Sequence, residues 1–200
     1  MSKLQEKPEP QLEAPVHELI SSRWSPRALN GKPIAPETLK QIFEGARWAP
    51  SCFNLQPWSF IYAHKGTPEF DKILSVLLEG NRIWAKEASV LAIGVAHLIN
   101  NFDGKPNDYA WYDLGQAVHS LVMQATELGI SSHQMAGFDR KAAQEAYSIP
   151  EGKEPAVALA LGYRGDAGQL PEELKQAELA QPKRKPQDDF VFEGEYRSES

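Results

Sequence analysis

Three side chains near the start of the chain could share one anion. Arg23, Ser25 and Arg27 alternate within the stretch SSRWSPR. In extended backbone alternate residues point the same way. Two guanidinium forks and a hydroxyl would then converge on a single phosphate. A solvated basic helix end is the other reading of this spacing. A second basic cluster, PKRKP at 182–186, holds Lys183, Arg184 and Lys185 in a chain of formal net charge -6. It reads either as a solubilising tail patch or as a second approach to the same phosphate, from this subunit or its neighbour.

A different chemistry is concentrated in RWAPSCFNLQPWSF, residues 47–60. Pro50 ends the helix before it, so the backbone groups that follow need turns, side chains or a ligand. Asn54 and Gln56 each present an amide donor and an amide acceptor. A flat heterocycle with alternating C=O and N–H edges needs such partners. The plainer reading makes Asn54 a turn former and Trp58 and Phe60 core residues. Cys52 is the single cysteine, with no histidine near it in sequence. An inert, half-buried thiol suits that setting better than a nucleophile.

Several site classes lack their signatures. No GxGxxG follows a strand, and GxxxxGK[ST], HExxH and GxSxG are missing. The histidines at 17, 64, 97, 119 and 133 are dispersed, so no metal spacing is present. The acidic balance disfavours nonspecific contact with nucleic acid or anionic membrane. One cysteine excludes an internal disulfide and points to a reducing compartment. No apolar run approaches ~20 residues, and the start, MSKLQEKPEPQLEAP, is polar. The expectation is a cytoplasmic protein without a membrane span.

The elements that must position these residues follow from periodicity. With 42% hydrophobic and 24% charged residues over 200 positions, the chain can bury a core, roughly 70% of its unfolded surface. Val16 to Ile20 starts a short helix that ends near Ser21-Ser22. Pro36 opens a helix to about Trp48, with Leu39, Ile42, Phe43 and Ala46 on one face. Trp58 to Ala63 reads as a strand. Thr67 caps a helix with Pro68 at its first position and apolar residues at Phe70, Ile73, Leu74, Leu77 and Leu78. Val90 to Leu98 is a strand apolar on both faces. A polar loop over 99–110 leads to the strongest helix, Trp111 to Leu128, which Gly129 terminates. A short extended piece precedes MAGFD, where Asp139 caps a helix through Ala146. Ala156 to Tyr163 is another buried strand, and Pro171 to Ala180 a short polar helix. DFVFEGEY, at 189–196, reads as an edge strand, paired within this chain or with another subunit. Helices separate strands throughout, which predicts an α/β or α+β sheet with helices against it.

The segments RWSPR, ARWAPSCFNLQPWSF, AWYDLGQAVHSLVMQATELGI, MAGFD and PAVALALGY stand in the order seen in the nitroreductase family of FMN-dependent flavoproteins, which the chain resembles over roughly residues 17–197. The pattern A-P-S-x-x-N-x-Q-P-W carries most of the specificity. The resemblance implies an α+β fold with a central mixed or antiparallel sheet flanked by helices. It also implies an intertwined homodimer with C-terminal arm exchange. Residues 1–15 would be a flexible tail, 16–181 the FMN-binding domain and 182–200 an arm on the partner.

For the site, the resemblance implies that Arg23, Trp24, Ser25 and Arg27 hold the FMN phosphate and ribityl region. Lys183, Arg184 and Lys185 would reach the same phosphate. Pro50, Ser51, Cys52 and Asn54 would lie by the flavin ring across the dimer interface. Asn81, which alone reads as a helix terminator, would meet the pyrimidine side. Gln134, Met135, Ala136 and Gly137 would form the loop over N5, with Gly137 allowing close backbone approach. Phe53, Tyr109, Trp111 and Tyr112 would wall the substrate pocket. Tyr109, Trp111 and Tyr112 could equally be core residues at a helix start. Two features depart from family patterns: Trp84 stands where some members have lysine, and Ala136 where some have glutamate. Arg82 is the nearest alternative cation. The implied activity is ping-pong transfer of hydride from NAD(P)H through flavin N5 to a nitroaromatic, quinone or similar small oxidant, with no side-chain acid or base named. A flavin-binding or flavin-handling protein without reductase turnover is the alternative.

Overall fold

In a computed structural model that describes residues 8–197, the sequence folds into three layers around one four-stranded sheet. The strands are β1 (Trp58–His64), β2 (Val90–His97), β3 (Ser131–Met135) and β4 (Lys153–Gly162). Their order is β1-β2-β4-β3, and every pairing is antiparallel. The sheet is thus antiparallel rather than mixed.

The central strands run apolar over 90–96 and 155–162 because both of their faces are covered there. Val90, Ala92 and Ala96 of β2 pack with Leu159 and Leu161 of β4 against one helical layer. Leu91, Ile93 and Val95 pack with Ala158 and Ala160 against the other. The first layer is α2 (Pro36–Arg47) and α5 (Ala110–Glu127). Gly45 lets these helices approach: a Cβ there would meet the Ser120 carbonyl oxygen at 2.9 Å and Gln124 Cβ at 2.8 Å. The stripe of α5 expected to be apolar, Leu114, Ala117, Val118, Leu121, Val122 and Ala125, is buried as one face.

The second layer holds α3 (Pro68–Val76), α4 (Glu79–Ala85) and α6 (Arg140–Ala146). Thr67 and Asp139 cap α3 and α6 by accepting the Phe70 and Ala142 N–H groups. The helix expected to run on through Leu78 instead stops at Val76. Leu77 bridges to Phe138, and the Leu78 N–H donates to the Gly137 carbonyl at 3.0 Å. These long-range bonds pull the backbone out of the helix, and α4 starts afresh one residue later. Asn81 therefore sits inside a helix and does not terminate one.

A short α1 (Glu18–Ser22) precedes the anion segment, and α7 (Glu172–Leu179) packs behind it. Residues 8–15 form no helix or strand. They lie along the C-terminal segment: Gln181 Nε2 donates to the Glu9 carbonyl, and the Gln187 N–H to the Glu13 carboxylate at 3.0 Å. Residues 190–197 form no strand with this chain's own sheet. Residues 1–7 of the expected tail and 198–200 of the expected arm lie outside the described residues. Among the described residues no helix is long and apolar enough to cross a membrane.

Candidate cofactor site

The anion segment is shaped from beneath by a carboxylate that the sequence does not flag. Glu178, on α7, is buried and accepts the Arg27 N–H at 2.8 and 3.1 Å and the Ala28 N–H at 3.1 Å. This fixes the turn after Pro26. The Arg23 guanidinium donates to Ser25 Oγ at 3.0 Å. Burial, with the Arg184 guanidinium beside it, pulls Arg23 below its ordinary pKa. Two like charges held this close favour an anion between them. Arg23, Trp24 and Arg184 line one cleft of about 290 Å³, walled on its apolar side by Leu12, Val16 and Ile20. The second basic cluster thus reaches the first within the same chain through Arg184. Lys183 and Lys185 are exposed next to it. The Arg164 guanidinium lies over the Trp24 ring, 4.8 Å from its centroid.

His133, on β3, backs this segment. Its Nδ1 lies 3.2 Å from the Pro26 carbonyl. Burial and the charges of Arg27 and Arg23 push the ring down to about 4, against the bond to Pro26 that favours its proton. The imidazole is therefore neutral at pH 7. Trp84 packs on it, centroids 4.6 Å apart. Trp84 is buried and its indole Nε1 has no hydrogen-bond partner, although a buried donor normally has one.

One helical turn before Trp84, and so on the same side of α4, Asn81 Nδ2 donates to the Gly137 carbonyl at 2.9 Å. A Cβ at Gly137 would meet that Nδ2 at 2.7 Å. The neighbour that such a Cβ would displace is the Asn81 amide, the mobile end of a side chain. Of the segment 134–137, Met135 is buried in the core, while Gln134 and Ala136 are exposed. The pyrimidine-side and N5-side candidates are thus joined by a direct bond, while His133, on which Trp84 packs, adjoins Arg27 and Arg23.

No residue of the Pro50–Gln56 connection lines the arginine cleft. Ser51 and Cys52 are half-buried, Pro50 and Asn54 exposed. Phe53 is 90% exposed, and Tyr109, Trp111 and Tyr112 at the start of α5 are exposed with it. None of the three is a core residue of this chain. The Arg140 guanidinium lies 5.5 Å from the Trp111 ring centroid. Arg82 is engaged with Glu79 at 2.6 Å on the surface. Among the described residues no cluster of His, Cys, Asp and Glu could hold a metal.

The chain thus combines a helix-covered antiparallel sheet with Arg23 and Arg184 gathered in one cleft. The chain belongs to the nitroreductase family, whose model matches residues 20–163. At the level of the family this means a flavin-linked oxidoreductase. A solved oxidoreductase containing FMN is 38% identical, with a TM-score of 0.92 over 98% of this chain and 100% of its own. A nitroreductase family protein from Clostridium difficile 630 is 25% identical, with a TM-score of 0.69 over 90% of this chain and 98% of its own. An uncharacterized 15.4 kDa protein of Mycolicibacterium smegmatis is 29% identical over 127 residues, 64% of this chain and 84% of that one.

Proposed function

We propose that this protein binds FMN and uses it to pass reducing equivalents from NAD(P)H to a small oxidant such as a nitroaromatic compound or a quinone. The convergence of Arg23 and Arg184 on one cleft, with Ser25 bonded to Arg23, carries this reading, since an acidic chain sets two guanidinium groups side by side there. It is supported by the likeness to an FMN-containing oxidoreductase over nearly the whole chain. The donor set fits the cofactor. A phosphate monoester carries close to two negative charges, and Arg23, Arg27, Arg184, Lys183 and Lys185 can balance them. The unpartnered Trp84 Nε1 is a buried donor in want of an acceptor, which an acceptor-rich flavin edge or ribityl chain offers. When bound, FMN supplies reversible two-electron chemistry, accepting electrons from NAD(P)H and giving them to an oxidant that follows at the same ring.

The residues of this chain then divide the work. Arg23, Ser25 and Arg27 grip the phosphate, with Trp24 beside them and Glu178 fixing their backbone. Asn81 and residues 134–137 meet the ring edge. Pro50, Ser51, Cys52 and Asn54 serve the site of a second copy, and Phe53, Tyr109, Trp111 and Tyr112 exclude water from the substrate's place. The second copy is argued from exposed apolar surface. Phe53, Phe190, Val191 and Tyr196 have no cover. Strand β1 is a sheet edge beside a groove of about 570 Å³ that Leu39, Phe43, Phe60 and Tyr62 line. Residues 190–197 of a partner suit that groove. The homodimer with exchanged arms, the 16–181 domain and a cytoplasmic location belong to this proposal.

Anaerobic titration of the purified protein with NADH and with NADPH tests it. The flavin's visible absorption should bleach with at least one nucleotide and return on adding a quinone or nitroaromatic compound. A yellow protein that neither nucleotide bleaches would be a flavin-binding protein without turnover. A colourless protein that ignores added FMN would end the reading altogether.

A further inference from the structure

We propose that Asp113 is a positioning residue that holds the Pro50–Gln56 connection in the strained shape that turns Phe53 and Asn54 outward. The strain is visible in the backbone. Phe53, Asn54 and Gln56 have φ of 48°, 56° and 48°, in the left-handed region. Asparagine tolerates that region, but phenylalanine and glutamine do so at a cost in free energy. Such conformations persist only where surrounding bonds over-determine them.

Most of the bonds here fasten the loop to itself. The Asn54 N–H donates to the Ser51 carbonyl at 3.0 Å, and Leu55 N–H to the Cys52 carbonyl at 3.0 Å. The Gln56 N–H donates to Ser51 Oγ at 3.0 Å, and Gln56 Nε2 to the Asn54 carbonyl at 3.0 Å. Asp113 ties the loop to the body. Its Oδ2 accepts the Cys52 N–H at 3.1 Å, across 61 residues of sequence. The carboxyl group is 1% exposed, and its other oxygen has no partner. Burying a half-satisfied carboxylate is expensive. In return, a charged acceptor grips an N–H about twice as strongly as a neutral one. Its place in the first turn of α5 sets the negative charge at the positive end of that helix.

The geometry gives this tie a consequence. Asp113 lies on the same turns of α5 that expose Trp111 and Tyr112, with Tyr109 just before them. One hydrogen bond therefore sets the loop that carries Phe53 and Asn54 relative to the three rings at the helix start. The consequence for flavin and substrate rests on the FMN reading above. The holding of the loop rests on geometry alone.

Cys52 is the chain's only cysteine, so its thiol reports on this loop without interference. Asp113→Leu keeps the branched shape, though not the smaller volume, and removes the acceptor, while Asp113→Asn keeps an acceptor oxygen. With far-UV circular dichroism native in both, D113L should react with 5,5′-dithiobis(2-nitrobenzoate) about tenfold faster than the parent, the loss of a charged hydrogen bond. D113N should fall between the two, about threefold faster than the parent, since a neutral acceptor keeps about half of the bond. In flavin-loaded protein D113L should also shift the visible flavin band and raise KM more than it lowers kcat. A folded D113L that labels at the parent rate would overturn the proposal, as would a D113N that labels as fast as D113L. Should D113L not fold, amide exchange on the parent decides: the Cys52 N–H should exchange far more slowly than that of exposed Phe53, and equal rates would overturn it. Labelling and exchange need no flavin, so a failure here is distinct from a failure of the FMN reading.

Discussion

Replacing Glu178 by alanine would leave the Arg27 and Ala28 N–H groups without their acceptor, in a buried turn. Each unsatisfied buried donor costs about 1–3 kcal/mol, so two cost about 2–6 kcal/mol. Removing the carboxylate returns part of its own desolvation cost, which places the net loss at about 2–3 kcal/mol. For a domain of this size that lowers Tm by about 4–12 °C. Glu178→Gln keeps one acceptor oxygen and should fall between parent and alanine. The structural reasoning predicts a second effect. The same turn aims Arg23, Ser25 and Arg27, so FMN affinity should drop by about tenfold or more, roughly the worth of one charge-assisted bond. Urea unfolding gives the first quantity and FMN fluorescence quenching the second. An alanine variant with parent midpoint and parent affinity would refute the reasoning. One that loses stability yet binds FMN as before would separate α7 from the site.

Three further outcomes are expected. His133 takes its proton near 6.5 when unfolded and near 4 when folded, so between those values the unfolded chain binds more protons. Stability of the flavin-free protein should be level above pH 6.5 and fall by about 3 kcal/mol as the pH drops from 6.5 to 4; His133→Phe should flatten that acid limb in urea unfolding. Gly137→Ala should displace the Asn81 amide it would meet at 2.7 Å, costing about 1 kcal/mol for the lost hydrogen bond and perturbing the visible flavin spectrum. If the chain pairs by arm exchange as proposed, the parent should sediment as a dimer and deletion of residues 190–200 should give a monomer in analytical ultracentrifugation; a dimer unchanged by the deletion would count against arm exchange.

Strand β2 is legible in sequence because a strand covered on both faces must be apolar on both, and VLAIGVA is an unbroken apolar run of strand length. Helix α5 is legible because its stripe repeats for five turns and glycine ends it. The break between α3 and α4 is not legible. Apolar residues run on from Phe70 to Leu78, and what stops the helix is bonding to Gly137 and Phe138 on a distant segment. The site shows the same division. Arg23, Ser25 and Arg27 announce themselves by alternation over five residues. Arg184 gains meaning only when the fold sets it beside Arg23. Glu178 lies in a polar, acidic helix where a carboxylate reads as solvated charge, and no local signal marks it as buried. Asp113 was visible only as one letter of a resemblance, since its partner is a backbone N–H 61 residues away. His133 and Trp84 each look like an ordinary residue of a strand and a helix until their rings meet.

The central claim is that this cleft grips a flavin by its phosphate, and comparing FMN with riboflavin tests it most directly. The two differ only in that group. By fluorescence quenching at fixed ionic strength the parent should bind FMN about 100-fold more tightly, the worth of two charge-assisted bonds. Replacing Arg23 and Arg27 by alanine should bring the two affinities close together while leaving riboflavin binding little changed. Equal affinity of the parent for both ligands would contradict the account.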